Sequence, residues 1–342
     1  MGWPFGVGKM VGRIDPATRR LTELKQAADS ASEHQLLVVV EDALHANSSL
    51  VVEQAAILVR ERELKIEPAI LVKAYEKFLV TAEDADQSIE DKNCRAKLPL
   101  VEALHCLQFD DPDFYSAGLL YVQWEPAWPE SQETAGNLRG AHAFALVSSQ
   151  QASPHETLMQ LVALLFDRSV TARTHAAAAI GQLGHPGSAA VMKTAILQNT
   201  DCSEVLGECF RSLLRNDRSS LNFIASYLEA DELVIEAAST LTEFGSAAGV
   251  GLVIAKASLV SGELQEALFA TLGISRHADS VKFLVESIGG KGDISKYAVK
   301  ALAPQKFYPD IVRQVEAAVS AVDDKALWAV FDKVFGSAAK SD

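Results

Sequence analysis

The stretch DRSVTARTHAAAAIGQLGHPG, residues 167–187, has the composition of one helix followed by the turn that ends it. Alanine, the strongest helix former, fills positions 176–179, and Ile180 and Leu183 place two apolar side chains on one helical face. Gly184 comes next, where a left-handed residue commonly ends a helix, and Pro186 cannot continue one. The stretch therefore predicts a buried helix that ends at Gly184.

The apolar positions of this stretch recur at intervals of 28 to 31 residues over five units. The first register is Ile180, Phe210, Leu241, Phe269 and Val299. The second register, three residues later in each unit, is expected to be buried between paired helices and consists of Leu183, Leu213, Phe244, Leu272 and Leu302. The third register is Val191, Leu221, Leu252, Val281 and Ile311. Each unit has room for two helices of about 12 residues, which is typical of an α-solenoid. The alternation typical of strands is missing from this half of the chain.

Turn and capping residues support these units. Glycines directly follow the second register and predict helix ends at Gly184, Gly245 and Gly273. Small polar side chains predict helix starts, with N-caps at Ser153, Ser203 and Asp231. Residues 151–336 are therefore interpreted as regular helical repeats.

Residues 15–150 continue the helical pattern with looser spacing. Helices are predicted at Pro16–Asp29, Glu33–Ala46, Leu50–Glu63, Pro68–Val80, Pro99–Leu107 and Gly136–Ser149. The acidic segment Thr81–Asp91 is interpreted as an exposed linker or loop. Residues 109–133 are interpreted as an insertion or an irregular repeat, because three prolines interrupt this segment. Residues 1–14, with Trp3, Phe5 and Met10 among glycines, are interpreted either as a flexible docking tail or as chain docked onto the first helices.

The unit around residue 180 resembles a HEAT-type repeat, and its length is similar to that of the short repeats of phycobilin lyases. The residues that carry the resemblance are Asp167, Val170, Arg173, Ala176, Ala177, Ala178, Ala179, Ile180, Gly181, Leu183 and Gly184. The resemblance extends from Pro154 to about Val319. It implies an all-α fold, a right-handed α-solenoid of antiparallel helix pairs that forms a superhelix with a concave ligand face.

Charge and composition exclude several classes of protein. The chain has 31 Lys and Arg against 45 Asp and Glu, a net charge of −14, which repels nucleic acid. No apolar run reaches the 18 or so residues that a membrane span needs. The four cysteines show no CxxC spacing and are expected to be buried thiols. These features predict a cytoplasmic protein that binds no nucleic acid and does not span a membrane.

Three enzymatic alternatives exist for a HEAT-like chain. A di-metal hydroxylase of HEAT type needs a His-Glu pair in each repeat, but the single such pair is His155-Glu156 and other histidines fall at different offsets. A HEAT-like DNA glycosylase needs a basic face, whereas residues 98–167 hold nine acids and one base. A bilin-lyase-like subunit is suggested mainly by repeat length, with Cys94 beside Arg95 and Cys106 beside His105 as its local support. The sequence therefore predicts no catalytic residue, metal or cofactor, with a HEAT-like enzyme or enzyme subunit as the alternative.

A protein-binding scaffold remains the expected function. The insertion at residues 109–133 concentrates aromatic and acidic side chains, a combination suited to a protein or basic peptide partner. Two interpretations are open, a binding surface or aromatic side chains that cap the core. The candidate partner-binding residues are Asp110, Asp111, Asp113, Tyr115, Tyr121, Trp124, Glu125, Trp128 and Arg139. Arg139 is expected to pair with a local carboxylate, and at least one tryptophan to project from a turn.

Overall fold

The computed structural model describes residues 15–79, 90–230, 232–244, 246–322 and 324–336. Within these residues the chain forms 19 α-helices and is 73% helical and 1% strand. The predicted all-α class is therefore confirmed, while the handedness of the solenoid and the change of repeat type at residue 150 stay predictions. The chain divides into two compact units, residues up to Ala179 and residues from Ile180.

The first unit places helices alternately in two layers. Its helices are α1 (Pro16–Ser30), α2 (Glu33–Leu44), α3 (Ser49–Glu61), α4 (Pro68–Glu76), α5 (Lys97–Cys106), α6 (Pro112–Gly118), α7 (Gly136–Ser148), α8 (Pro154–Leu164) and the larger part of α9 (Val170–Leu183). Helices α1, α3, α5 and α7 contact one another in that order, α2 contacts α4, and α6 and α8 pack on α7. All six helices predicted in this part begin within two residues of the expected position.

The second unit repeats the same two-layer arrangement. Its helices are α10 (Ser188–Gln198), α11 (Ser203–Asn216), α12 (Leu221–Ala225), α13 (Val234–Glu243), α14 (Ala247–Leu259), α15 (Glu263–Ile274), α16 (Ala278–Ser287), α17 (Ile294–Ala301), α18 (Pro309–Val322) and α19 (Lys325–Phe335). Helices α11, α13, α15, α17 and α19 contact one another in order, and so do α12, α14, α16 and α18. The predicted packing of neighbouring helices is present.

The core of the second unit follows the first predicted register. All five side chains of that register are at most 1% exposed. In the second register Leu213, Leu272 and Leu302 are buried, but Leu183 and Phe244 are half-buried. The ring of Phe244 instead packs under Arg218, with the guanidinium carbon 4.6 Å from the ring centre. The expectation that all five residues are buried was wrong at these two positions.

The third predicted register does not form the core. Its residues are half-buried or exposed, and the second helices bury pairs of side chains of which the first member comes one to four residues later. These residues form i, i+4 pairs at equivalent positions: Met192 and Ile196, Ile224 and Leu228, Val253 and Ala257, Leu284 and Ile288, and Val315 and Val319. Two residues one turn apart lie on the same helix face, so each pair packs on the helix that follows.

Two of the predicted turn residues have other roles. Gly184 has φ +64° and Ser153 caps α8, as predicted. Ser203, however, is the first residue of α11 and Cys202 precedes it as the cap position. Gly273 lies inside α15, where a Cβ would come within 1.8 Å of the Ala301 carbonyl oxygen, so it serves the close approach of α15 and α17. Asp231 and Gly245 lie outside the described residues.

Other expectations need correction or fall outside the described residues. Cys94 and Cys209 are buried as expected, and burial raises the pKa of each thiol to about 12, but Cys106 and Cys202 are exposed. Asp91, placed in an exposed linker, is buried because it pairs with a lysine. The rest of that linker up to residue 89, and Trp3, Phe5 and Met10, lie outside the described residues. No helix of the described ranges has the length and apolar character needed to cross a membrane.

Candidate functional site

The insertion at residues 109–133 folds as a short helix followed by a hairpin. Asp111 starts α6 by accepting a hydrogen bond from the Phe114 amide at 3.0 Å. After α6 the chain becomes extended, and β1 (Trp124–Glu125) pairs antiparallel with β2 (Gln132–Glu133), with Trp124 opposite Glu133. Residues 120–133 together form the aromatic hairpin.

The side chains of the aromatic hairpin alternate between two faces. Tyr121, Gln123 and Glu125 turn toward the protein, where each forms hydrogen bonds. Leu120, Val122 and Trp124 turn outward and are 82%, 54% and 54% exposed, and Trp128, in the connection between the strands, is 95% exposed. Successive residues of an extended chain point to opposite sides, so one apolar stripe faces solvent. This outward stripe, with Trp128, is called the apolar face.

Arg139 holds the aromatic hairpin to α7. Its guanidinium donates to both carboxylate oxygens of Glu133 at 2.8 and 2.9 Å, to Asp167 at 2.8 Å and to the Tyr121 carbonyl at 2.8 Å. Arg139 is 1% exposed. Burial alone would raise the pKa of Glu133, but hydrogen bonds from Arg139 and from the Ala135 amide outweigh it, and that pKa lies below its ordinary value. The expected pairing of Arg139 with a local carboxylate is present.

A second buried ion pair lies beneath the inward-pointing side chains of the aromatic hairpin. The side chains of Lys97 and Asp91 are fully buried and 3.0 Å apart. Lys97 also donates to the Phe78 carbonyl at 3.1 Å and lies 5.2 Å from the centre of the Tyr121 ring. Gln123 joins this pair to the hairpin by donating to the Asp91 carbonyl at 2.8 Å. Both charges are satisfied locally, as a buried ion pair requires.

Glu125 is used by the fold. Its carboxylate accepts hydrogen bonds from the Asn93 amide, from Gln123 at 2.7 Å and from Thr134 at 2.8 Å. Burial alone would raise the pKa of Glu125, but these hydrogen bonds outweigh it and the pKa lies below its ordinary value. Glu125 therefore anchors the hairpin to the 3-10 turn Lys92–Cys94.

The structure separates the candidate residues into three groups. Trp124 and Trp128 lie on the apolar face, while Tyr121, Glu125 and Arg139 lie beneath it. Asp110, Asp111 and Asp113 lie at the start of α6, where Asp110 accepts from Ser149 just after the end of α7. Arg139 and Ser149 are ten residues apart, about 15 Å along a helix, so the three aspartates and the tryptophans occupy opposite ends of α7.

Two candidate residues are core residues. Tyr115 is fully buried, and its ring makes edge contacts with Phe109, Phe114 and His142. Its assignment to a partner-binding surface was wrong, because no part of the side chain reaches solvent. Arg139 is equally inaccessible and supports the site from below. The insertion therefore contains both a capped core and an exposed aromatic surface.

A buried histidine beside this core has no counterpart among the predicted residues. His142 lies among Tyr75, Phe114 and Tyr115, and its Nε2 is 3.1 Å from the Tyr75 hydroxyl. Burial lowers the pKa of His142 to about 3, so the ring is neutral at pH 7. Gly118 packs directly on the ring, where a Cβ would come within 2.2 Å. The sequence signal was the glycine in α6, which permits this close packing.

A polar cavity of about 310 Å³ lies where α5 and α7 end, lined in part by His105, Cys106 and Asp110. His105 Nε2 is 2.9 Å from the Ser148 hydroxyl, and burial lowers the pKa of His105. Asp110 bonds Ser149 and not His105, and Ser148 also donates to a backbone carbonyl. The groups are therefore not arranged as a Ser-His-Asp relay, which needs the carboxylate on the histidine.

Metal-ligating side chains do not converge in the described part of the chain: no group of three or more His, Cys, Asp or Glu could hold an ion there. The comparisons with known proteins add no relative. No family model matches the sequence, and no curated protein matches it.

Proposed function

We propose that the protein is a non-enzymatic scaffold or adaptor that binds a partner protein through the apolar face of the aromatic hairpin. The observation that carries the proposal is Trp128, an indole left 95% exposed on a hairpin that two buried ion pairs hold in place. An exposed tryptophan on a fixed support loses little conformational entropy on binding and buries a large area. The concave face expected from the HEAT resemblance remains a further proposed surface.

The charge of the insertion defines the class of partner. Residues 109–133 contain six acids and no Lys or Arg. Glu130, in the connection beside Trp128, is exposed. A partner segment that offers apolar side chains to the indoles and a Lys or Arg to the exposed carboxylate of Glu130 matches both properties. The proposed partner is therefore a protein with a basic, apolar segment.

Peptide selection tests the proposal and requires no identified partner. Random 15-residue peptides displayed on phage are selected on the immobilised full chain, and the enriched peptides are measured against two single variants. Trp128→Ala is expected to weaken binding by about 30-fold or more, since a central tryptophan contributes about 2 kcal/mol or more at an interface. Phe307→Ala is the matched control, because Phe307 is 79% exposed but belongs to the second unit.

The selected sequences give a second readout. We expect them to combine aromatic or aliphatic residues with Lys or Arg. Peptides that bind Trp128→Ala as well as the wild type, or a selection dominated by acidic peptides, would contradict the proposal.

A further inference from the structure

Residues 1–14 combine aromatic side chains with positive charges, a composition suited to contact with the apolar face. The sequence MGWPFGVGKMVGRI contains Trp3 and Phe5, the bases Lys9 and Arg13, and no Asp or Glu. These residues lie outside the part of the chain that the structure describes. Their composition, apolar and aromatic with two positive charges, is complementary to an exposed apolar stripe beside the exposed carboxylate of Glu130.

The described part of the chain begins at Asp15, which lies in the first unit. The aromatic hairpin belongs to the same unit. Asp15 caps α1 and lines a cleft of about 410 Å³ with Val51, near the start of α3. Two residues later on α3, Glu53 bonds Arg95 at 3.0 Å. Arg95 directly follows the 3-10 turn whose Asn93 amide donates to Glu125 of the hairpin. A continuous set of contacts therefore leads from Asp15 to β1.

Residues 1–14 are long enough to cover this path. Packed helices are about 10 Å apart, so the two steps from α1 through α3 to α5 amount to about 20 Å. Fourteen residues span up to about 45 Å when extended, and about 20 Å as the mean end-to-end distance of a glycine-rich chain. The apolar face lies within reach without any change in the described fold.

We infer that residues 1–14 dock in cis on the apolar face, with Trp3 and Phe5 against Trp124 and Trp128, and with Lys9 and Arg13 near Glu130. The inference rests on the proposed binding face and adds its regulation: a partner must displace an occupant that belongs to the same chain. A short tether gives such an occupant an effective concentration of about millimolar, so weak contacts are enough to hold it.

Photo-crosslinking in the full chain tests the contact. The photoreactive residue p-benzoylphenylalanine replaces Val7, which leaves both aromatic residues and both bases in place, and cross-links are mapped by mass spectrometry in the monomer band. We expect them to concentrate in residues 120–133. The double variant Lys9→Glu/Arg13→Glu is expected to lower their yield about fivefold or more at low salt, because two attractions become repulsions. The matched control is Lys325→Glu/Lys333→Glu, two exposed bases on α19.

A second variant tests the apolar part of the contact. Trp124→Ala/Trp128→Ala is expected to lower the same yield about tenfold, since it removes the two indoles of the apolar face. The charge reversal lies outside the described fold, so it remains informative if the tryptophan variant unfolds. Docked residues 1–14 reduce the fraction of chains whose apolar face is open, and peptide affinity falls by the same factor. Peptides enriched on the immobilised chain should therefore bind Lys9→Glu/Arg13→Glu more tightly than the wild type by about that factor.

Three results would overturn the inference: cross-links spread evenly over other elements, cross-links found only between chains in the dimer band, or a hairpin yield unchanged by the charge reversal. Its failure differs from failure of the proposed function. Absent hairpin cross-links with peptides that still require Trp128 reject the docking alone. Hairpin cross-links with no peptide that requires Trp128 reject the partner function alone.

Discussion

Replacing Arg139 by methionine should release the aromatic hairpin while leaving the rest of the fold in place. The change removes all four hydrogen bonds of the guanidinium and leaves the carboxylates of Glu133 and Asp167, only 10% and 17% exposed, without their counter-charge. Removing one partner of a buried ion pair costs about 3 to 5 kcal/mol, because an uncompensated charge stays behind. Methionine keeps the unbranched apolar stem, so the loss reports the charge and not the packing.

Hydrogen exchange at the Thr134 amide measures this loss locally. That amide donates to the Gln123 carbonyl at 2.9 Å and exchanges when the hairpin opens. A cost of about 3 to 5 kcal/mol corresponds to exchange that is about two to four orders of magnitude faster. Arg19→Met, which removes the exposed ion pair with Glu23, is the control in the same unit and should change the rate less than about threefold.

The penalty of Arg139→Met should also shrink in acid. In the wild type the pKa of Glu133 lies below its ordinary value, so its contribution to stability is complete above about pH 4.3 and is lost as the pH falls through the lower folded-state pKa. Without Arg139 the pKa of Glu133 loses the lowering by the guanidinium, so burial is opposed only by the remaining backbone hydrogen bonds, the pKa rises, and protonation then relieves the buried charge. The two proteins should therefore differ more at pH 7 than at pH 4. An exchange ratio below about tenfold at pH 7, or one independent of pH, would show that Arg139 does not hold the hairpin.

Three further changes test other parts of the structure. Gly273→Ala should destabilise the second unit by about 1 to 3 kcal/mol because α15 and α17 must separate, whereas Gly251→Ala, with no atom within 4 Å of the new Cβ, should stabilise it by about 0.5 to 1 kcal/mol. If urea unfolding showed that both variants change the free energy of unfolding in the same direction, the close approach of α15 and α17 would be contradicted. Phe244→Ala should cost about 1 to 2 kcal/mol and Phe210→Ala about 3 to 5, since only the second ring is fully buried; the reverse order would contradict the burial at these positions. Trp128→Ala should leave thermal stability within about 0.5 kcal/mol, and a large loss would make the indole a core residue.

The helices were predictable because their signals are local. Proline at the first turn, Ser153 at a cap and Gly184 at an end each act within a few residues, and the first apolar register repeats wherever a helix packs on the next. The third register failed because the second helix of each pair starts at a different point relative to its turn. Which face of the second helix is buried depends on the helix that packs against it. The pattern within a single unit therefore does not reveal that face.

The candidate site was only partly predictable, because burial depends on distant partners. Sequence counting treats Glu125, Glu130 and Glu133 as three acids of one surface, but only Glu130 is exposed. Arg139 is buried because Asp167, 28 residues away, completes its set of acceptors. Such contacts have no local pattern. The exposure of Trp128 was predictable in part, since the prolines on either side exclude a regular helix.

Because the side chains of the aromatic hairpin point alternately inward and outward, neighbouring positions are under different constraints. The inward positions are constrained by folding and the outward positions are not. Residues 123 and 125 form hydrogen bonds with the rest of the unit and the ring of residue 121 lies beside Lys97, so substitution at these positions should destabilise the fold. Residues 120, 122 and 124 have outward side chains and contribute little to the stability of the fold. If the apolar face binds a partner as proposed, mutations at the second set change what the hairpin recognises while the fold is retained. Residues 121, 123 and 125 should therefore vary little and residues 120, 122 and 124 widely among descendants of this chain, and the outward positions are then where binding specificity can change.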